Sequence, residues 1–226
     1  MTLSFAITGG SRGLGFALAR ALSQLDHHIF TCARTGISFG CTWHHTILDI
    51  LDSTSVSEWF SDIIKAEGVI DVAINNAGIM NSPAPIWEIE KEDFDLVIDV
   101  NIKGVANVLR SCVPIFLAQK HGTIVNLISG STRKSPAKSG AYSASKAAIE
   151  ILTKTLANEL PSNIKVFSLI PGPTNTDMLR KIIGNRAAEF PDLDHWVERA
   201  IPLLLNLNHI KSGTTLTVPG RKAVYQ

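Results

Sequence analysis

Apolar residues recur along the chain in two rhythms. Short apolar runs bounded by turn residues stand at 3–8, 28–33, 46–48, 69–75, 122–128, 165–170 and 214–218, and they read as strands of a buried sheet. Between most of them, apolar positions return every three or four residues over 16–25, 53–66, 91–119 and 141–160, the spacing of helices with one face on a core. Strands alternating with helices predict an α/β fold: a central, mostly parallel sheet, doubly wound, with helices on both faces. Residues 35–45 break the pattern. That segment is short, holds Gly36 and Gly40 and has no helical period, so a reduced loop or a single turn is expected. No repeat or linker divides the chain, and residues 1–226 are expected to form one domain.

In such a sheet, ligands sit beyond the carboxyl ends of the strands. Thr8, Arg34, Asp49, Asn76, Ser129 and Pro171 all fall at or just past those ends, which points to one site. The first strand runs into Thr8-Gly-Gly-Ser-Arg-Gly-Leu-Gly15 and then into a helix. Here Gly9, Gly13 and Gly15 let the backbone turn tightly and approach a pyrophosphate, and the N–H groups and dipole of the helix start favour its charge. Tyr142 and Lys146 stand four apart in a helical stretch, so phenol and ammonium address one point in space. A phenol with a pKa near 10 is a poor proton carrier at neutral pH, and a fixed positive charge beside it favours phenolate. The pair reads as a proton donor/acceptor with its tuner.

These segments together resemble the short-chain dehydrogenase/reductase family, nearly end to end. Thr8-Gly9-x3-Gly13-x-Gly15 is similar to the family's cofactor turn, and Asn75-Asn-Ala-Gly78 to the motif after its fourth strand. Asn101 in Val100-Asn-Ile-Lys-Gly104, Ser129 thirteen residues before the tyrosine, and Tyr142-x3-Lys146 match its catalytic residues. Pro171-Gly172 with Thr174 and Thr176 matches its nicotinamide-side turn. The resemblance implies a Rossmann-type domain that interconverts a carbonyl and an alcohol by hydride transfer. Tyr142 would exchange the proton, Ser129 hold the substrate oxygen, and Lys146 tune the tyrosine and bind the nicotinamide ribose. Asn101 would shape its helix to support the proton relay. Cofactor contacts are implied for Gly9, Ser11, Arg12, Gly13, Leu14, Gly15, Arg34, Asp49, Ile50, Asn76, Ala77, Gly78, Tyr142, Lys146, Pro171, Gly172, Thr174 and Thr176. Residues 174–194 occupy the substrate-lid region, short enough to suggest an open or small pocket. Pro219 and Arg221 depart from the family's usual close, which leaves the C-terminal contacts open.

The end of the second strand bears on the cofactor. An acid there would accept from the adenosine ribose and repel a 2′-phosphate. The chain has Ala33 and Arg34 instead, with Arg12 in the glycine turn, so NADP(H) is expected to be preferred, with NAD(H) possible. Asp49 and Ile50 resemble the adenine contacts, although Asp49 also suits a helix or turn cap.

Composition narrows the rest. The net charge is +1 with no basic run, so no nucleic-acid face is expected. No apolar run of membrane-spanning length is read, and the first strand leaves no room for a leader. Cys32, Cys41 and Cys112 lack metal spacing and read as reduced thiols in a cytoplasmic protein. His44-His45 reads as a loop pair without the acids a metal site needs. The family likeness further implies a homodimer or homotetramer acting on a small carbonyl or alcohol substrate. Two alternatives stay open: a cofactor-binding regulator without turnover, and an NAD-dependent epimerase or dehydratase.

Overall fold

A computed structural model of the chain describes residues 2–37 and 43–219. Gly40, Cys41 and Arg221, which figured in the sequence reading, lie outside the described residues. Seven strands form one parallel sheet in the order β3-β2-β1-β4-β5-β6-β7. They are β1 Ser4–Thr8, β2 His28–Ala33, β3 His44–Ile47, β4 Val72–Asn75, β5 Gly122–Leu127, β6 Ile164–Ile170 and β7 Thr215–Thr217. The order reverses between β1 and β4, and the crevice beyond their carboxyl ends is where such sheets bind ligands.

Alternate side chains of the strands feed two cores. On one face Phe5, Ile7, Val125 and Leu169 pack with Leu18 and Leu22 of α1 (Gly13–Ser23) and with Trp196, Ala200 and Leu204 of α8 (Leu193–Leu205). On the other, Ala6, Phe30, Ile124 and Val166 pack with Val56, Trp59 and Phe60 of α2 (Ser53–Glu67) and with Val108, Cys112 and Phe116. The last three belong to α4 (Val105–Gln119), which continues α3 (Lys91–Ile98) through a wide π turn at Asp99–Gly104. α5 (Ser131–Lys134) and α6 (Gly140–Glu159) complete the middle of the chain, and α7 (Asp177–Ile183) precedes α8.

Two expectations are corrected, and one helix was not anticipated. His44 and His45 are not a loop pair but open β3, where His44 stacks on Phe30 with centroids 5.1 Å apart and His45 bonds Thr31 at 2.7 Å. The rod Lys91–Gln119 is long and apolar enough to cross a membrane by length and composition, against the expectation that no such run exists. Here it is a core helix, with Val97, Val100, Val105, Val108, Cys112 and Phe116 buried. Finally, α8 was not read from the sequence. Pro202 inside it obscures the helical period, while Asp192 caps its start by accepting from His195 N–H at 2.9 Å.

Candidate active site

One cleft of about 650 Å³ lies across the carboxyl ends of the strands. Of the motif residues, Gly9, Ser11, Arg12, Gly13, Leu14, Arg34, Asp49, Ile50, Asn76, Ala77, Gly78, Tyr142, Lys146, Pro171 and Thr176 line it. Gly15, Asn101, Ser129, Gly172 and Thr174 are not part of its lining. Residues separated by more than a hundred positions thus converge on one wall.

The glycine turn is built by close approach. A Cβ on Gly15 would meet Asn76 Nδ2 and the Gly9 carbonyl at 2.4 Å each, and Gly9 has φ +72°. The side chain of Asn76 donates to the carbonyls of Thr8 (2.8 Å) and Gly9 (3.1 Å). The buried Thr8 hydroxyl accepts from the N–H groups of Asn76 (3.2 Å) and Ala77 (3.1 Å). These bonds stitch the loops after β1 and β4 into one shelf. A Cβ at Gly13, by contrast, would meet nothing within 4 Å, and α1 carries no acid in its first turn. Open backbone at a helix start without a competing carboxylate fits a pyrophosphate.

At the end of β2, Arg34 is exposed beside the cleft, and Arg12 lies 71% exposed with Nη1 4.0 Å from Asp177 of α7. Asp49 forms a turn by accepting from Leu51 N–H at 3.0 Å. Asp52, not Asp49, caps α2, bonding the N–H groups of Thr54 and Ser55. Burial pushes the thiol of Cys32, which also lines the cleft, up to about 12, so it stays protonated.

The centre of the site is Lys146. Its ammonium is buried, donates to the Leu127 carbonyl at 2.8 Å and lies 5.9 Å from the centroid of the Tyr142 ring. Loss of water lowers its pKa to about 8. Gly78 leaves room for it, because a Cβ there would come within 3.3 Å of Nζ and 3.1 Å of Asn101 Oδ1. Asn101 is fully buried in the π turn. Its amide accepts from Ile79 N–H (2.8 Å) and donates to Ile79 O (2.8 Å) and to Ser145 Oγ (2.9 Å). The Ser145 hydroxyl in turn donates to the Tyr142 carbonyl at 2.7 Å.

Ser129 follows β5, and its hydroxyl accepts from Ser131 N–H at 3.1 Å. The segment after it is clasped from behind. Both guanidinium arms of Arg133 reach Glu150 at 2.6 Å, and Lys154 (2.9 Å) and the Thr215 hydroxyl (3.0 Å) join it. With Arg133 as the main cause, the Glu150 carboxyl is held down at about 2. No sequence motif marked this clasp, because its members lie on α5, α6 and β7.

In the turn after β6, the Thr176 hydroxyl N-caps α7 by accepting from Leu179 N–H at 3.3 Å. Thr174 is buried, with its hydroxyl on the Gly172 carbonyl at 3.4 Å. The Pro171 carbonyl is anchored at 2.8 Å by the indole of Trp196, which the sequence reading did not single out. Its one available signal was the apolar spacing of Trp196, Ala200 and Leu204 after Asp192. Met178, Lys181 and Ile182 of α7 close the cleft's rim. Among the described residues no cluster of three or more His, Cys, Asp or Glu could hold a metal ion.

Comparison with known proteins places this geometry in context. A family model described as short chain dehydrogenase matches residues 4–187. An NADPH-dependent pterin aldehyde reductase of Arabidopsis thaliana is 40% identical over 221 residues, covering 94% of this chain and 91% of that one. Among solved structures, a 3-ketoacyl-(acyl-carrier-protein) reductase from Brucella melitensis complexed with NADH superposes with TM-score 0.87 at 24% identity, covering 98% of each chain. A gluconate 5-dehydrogenase from Burkholderia cenocepacia in complex with NADP and tartrate superposes with TM-score 0.84 at 26% identity, covering 96% of this chain and 94% of that one.

Proposed function

Because the chain belongs to the short-chain dehydrogenase family, an oxidoreductase family that uses a nicotinamide cofactor, we propose that it is an NADP(H)-dependent reductase of small aldehydes or ketones with Tyr142 as the proton donor. The observation that carries this reading is the buried Lys146 ammonium beside the Tyr142 ring, within the same cleft as the glycine turn.

The residues present suit the cofactor. Gly13 and the start of α1 suit the pyrophosphate, Asp49 and Ile50 the adenine, Arg34 and Arg12 a 2′-phosphate, and Lys146 the nicotinamide ribose. When bound, the reduced nicotinamide supplies a hydride to a carbonyl carbon. Tyr142 gives its proton to the carbonyl oxygen, and the ammonium of Lys146 favours the phenolate left behind. Asn101 keeps the π turn against Ile79 and Ser145, which holds the proton path in place. The cationic residues at the end of β2 support NADPH over NADH, as does the NADPH dependence of the pterin aldehyde reductase. That relative makes a pterin aldehyde the first substrate to try.

The test is Tyr142→Phe. NADPH consumption is followed over a panel of aldehydes and ketones that includes a pterin aldehyde. The variant is expected to bind NADPH normally and to lose turnover by about 10²–10⁴-fold, the contribution of a positioned acid. Near-normal activity in Tyr142→Phe would remove the tyrosine from the mechanism.

A further inference from the structure

The start of α6 is capped from outside its own sequence. The first N–H groups of a helix have no partner within it, and a residue at or near the N-cap usually supplies one. Ser139 stands at the N-cap of α6 and makes no such bond. It donates instead to the Pro136 carbonyl at 2.7 Å. The N–H of Tyr142 is taken by Asn81 Oδ1 at 3.2 Å, from 61 residues away.

Asn81 is only 3% exposed although it borders the cleft. Its Nδ2 donates to the Ser82 carbonyl at 2.9 Å and to the Lys138 carbonyl at 3.2 Å. Lys138 has φ +66°, a backbone state that non-glycine residues hold only with support from their surroundings. One side chain therefore takes the Tyr142 N–H in the first turn of α6, braces the strained residue before it and fixes both to the loop after β4. That loop carries Ala77 and Gly78 on the cofactor shelf. The carbonyl of Tyr142 is tied to the same loop by the second route, through Ser145 and Asn101 to Ile79.

We propose that Asn81 is a positioning residue for the reaction, holding Tyr142 at a set distance from the cofactor wall by capping α6 from that wall. A cap that served helix stability alone has no need to come from the 76–83 loop. A serine already stands at position 139, a residue type able to cap locally, yet its hydroxyl goes to Pro136 and the bond comes from Asn81. The inference rests on Tyr142 as proton donor and adds the residue that fixes where the phenol stands.

The experiment compares Asn81→Ala and the milder Asn81→Ser with the unmodified protein and with Tyr142→Phe. Turnover is measured with a pterin aldehyde and with 4-nitrobenzaldehyde, NADPH affinity by fluorescence titration, and folding by thermal unfolding. Misplacement of a reacting group by about 1 Å can cost on the order of 100-fold, so kcat is expected to fall about 10- to 100-fold in Asn81→Ala. KM and the NADPH dissociation constant should stay within about threefold, since the Asn81 amide is bonded to the backbone of Ser82, Lys138 and Tyr142. A crystal structure of Asn81→Ala should show the Tyr142 phenol displaced from its place over the cleft.

A folded variant with kcat within twofold, or with an unmoved phenol, overturns the inference. So does a large rise in KM at unchanged kcat, which would make Asn81 a substrate contact. NADPH affinity falling in step with kcat also overturns it, by reducing Asn81 to a prop of the whole loop. Activity surviving in Tyr142→Phe overturns the tyrosine reading and this inference together. Activity lost in Tyr142→Phe but kept in Asn81→Ala overturns this inference alone.

Discussion

Lys146→Met should make the protein more stable at neutral pH while abolishing its turnover. Methionine keeps the unbranched apolar stem among the residues that bury Lys146 and removes the ammonium. Burial lowers the lysine from 10.5 to about 8, and at roughly 1.4 kcal/mol per pH unit this is about 3 kcal/mol of unfavourable desolvation in the folded state. The substitution also removes the donor that the Leu127 carbonyl holds at 2.8 Å, a loss of about 1–3 kcal/mol. The balance favours Lys146→Met by about 0–2 kcal/mol at pH 7. The sign changes with pH. Between about 8 and 10.5 the unfolded lysine keeps a proton that the folded one has released, so the stability of the unmodified protein rises with pH across that window. Above it the advantage of methionine is gone, and the missing hydrogen bond remains as a deficit. Urea unfolding at pH 7 and near pH 10.5, followed by tryptophan fluorescence, measures both ends. A Lys146→Met protein less stable at pH 7, or a difference that does not change with pH, would refute the reasoning.

The cofactor preference should respond to Ala33→Asp, which places a carboxylate beside Arg34. The ratio of NADPH to NADH affinity should narrow or invert, and equal dissociation constants for the two cofactors in the unmodified protein would defeat the reading of Arg12 and Arg34. Glu150→Gln should cost about 1–2 kcal/mol at pH 7, where the carboxylate is pinned by Arg133, a modest figure because Arg133 and Lys154 are each 50% exposed and screened. The carboxyl of Glu150 is held at about 2, so this contribution is complete above its ordinary value of 4.5, fades as pH falls toward 2 and is absent below. Thermal unfolding of the two proteins should therefore converge in acid, and a gap as large at pH 2.5 as at pH 7 would contradict the clasp.

Much of this site was legible because its signals are local. Gly9 and Gly15 declare themselves wherever a turn leaves no room for a Cβ, and Tyr142 and Lys146 share a helix face by spacing alone. The alternation of apolar rhythms was enough for the α/β class, since a strand buried on both faces and a helix with one apolar stripe look different in any short window. Asp49 shows the limit of this. As a single residue it suited an adenine contact and also a cap, and only the neighbouring bonds show that Asp52 takes the cap of α2.

What the sequence could not decide were partners chosen across the fold. Asn81 and Tyr142 are 61 residues apart, Trp196 and Pro171 are 25 apart, and Glu150 and Thr215 are 65 apart. No periodicity links such pairs, because the contact exists only after the sheet has ordered its strands. The same holds for His44 and His45, whose strand character comes from pairing with β2 rather than from their own preference. Chain order and residue chemistry thus determined which groups reach the carboxyl ends of the strands. Packing decided which of them face the cleft, because hydrogen bonds to buried amides and carbonyls are satisfied by whatever group the folded chain brings within reach.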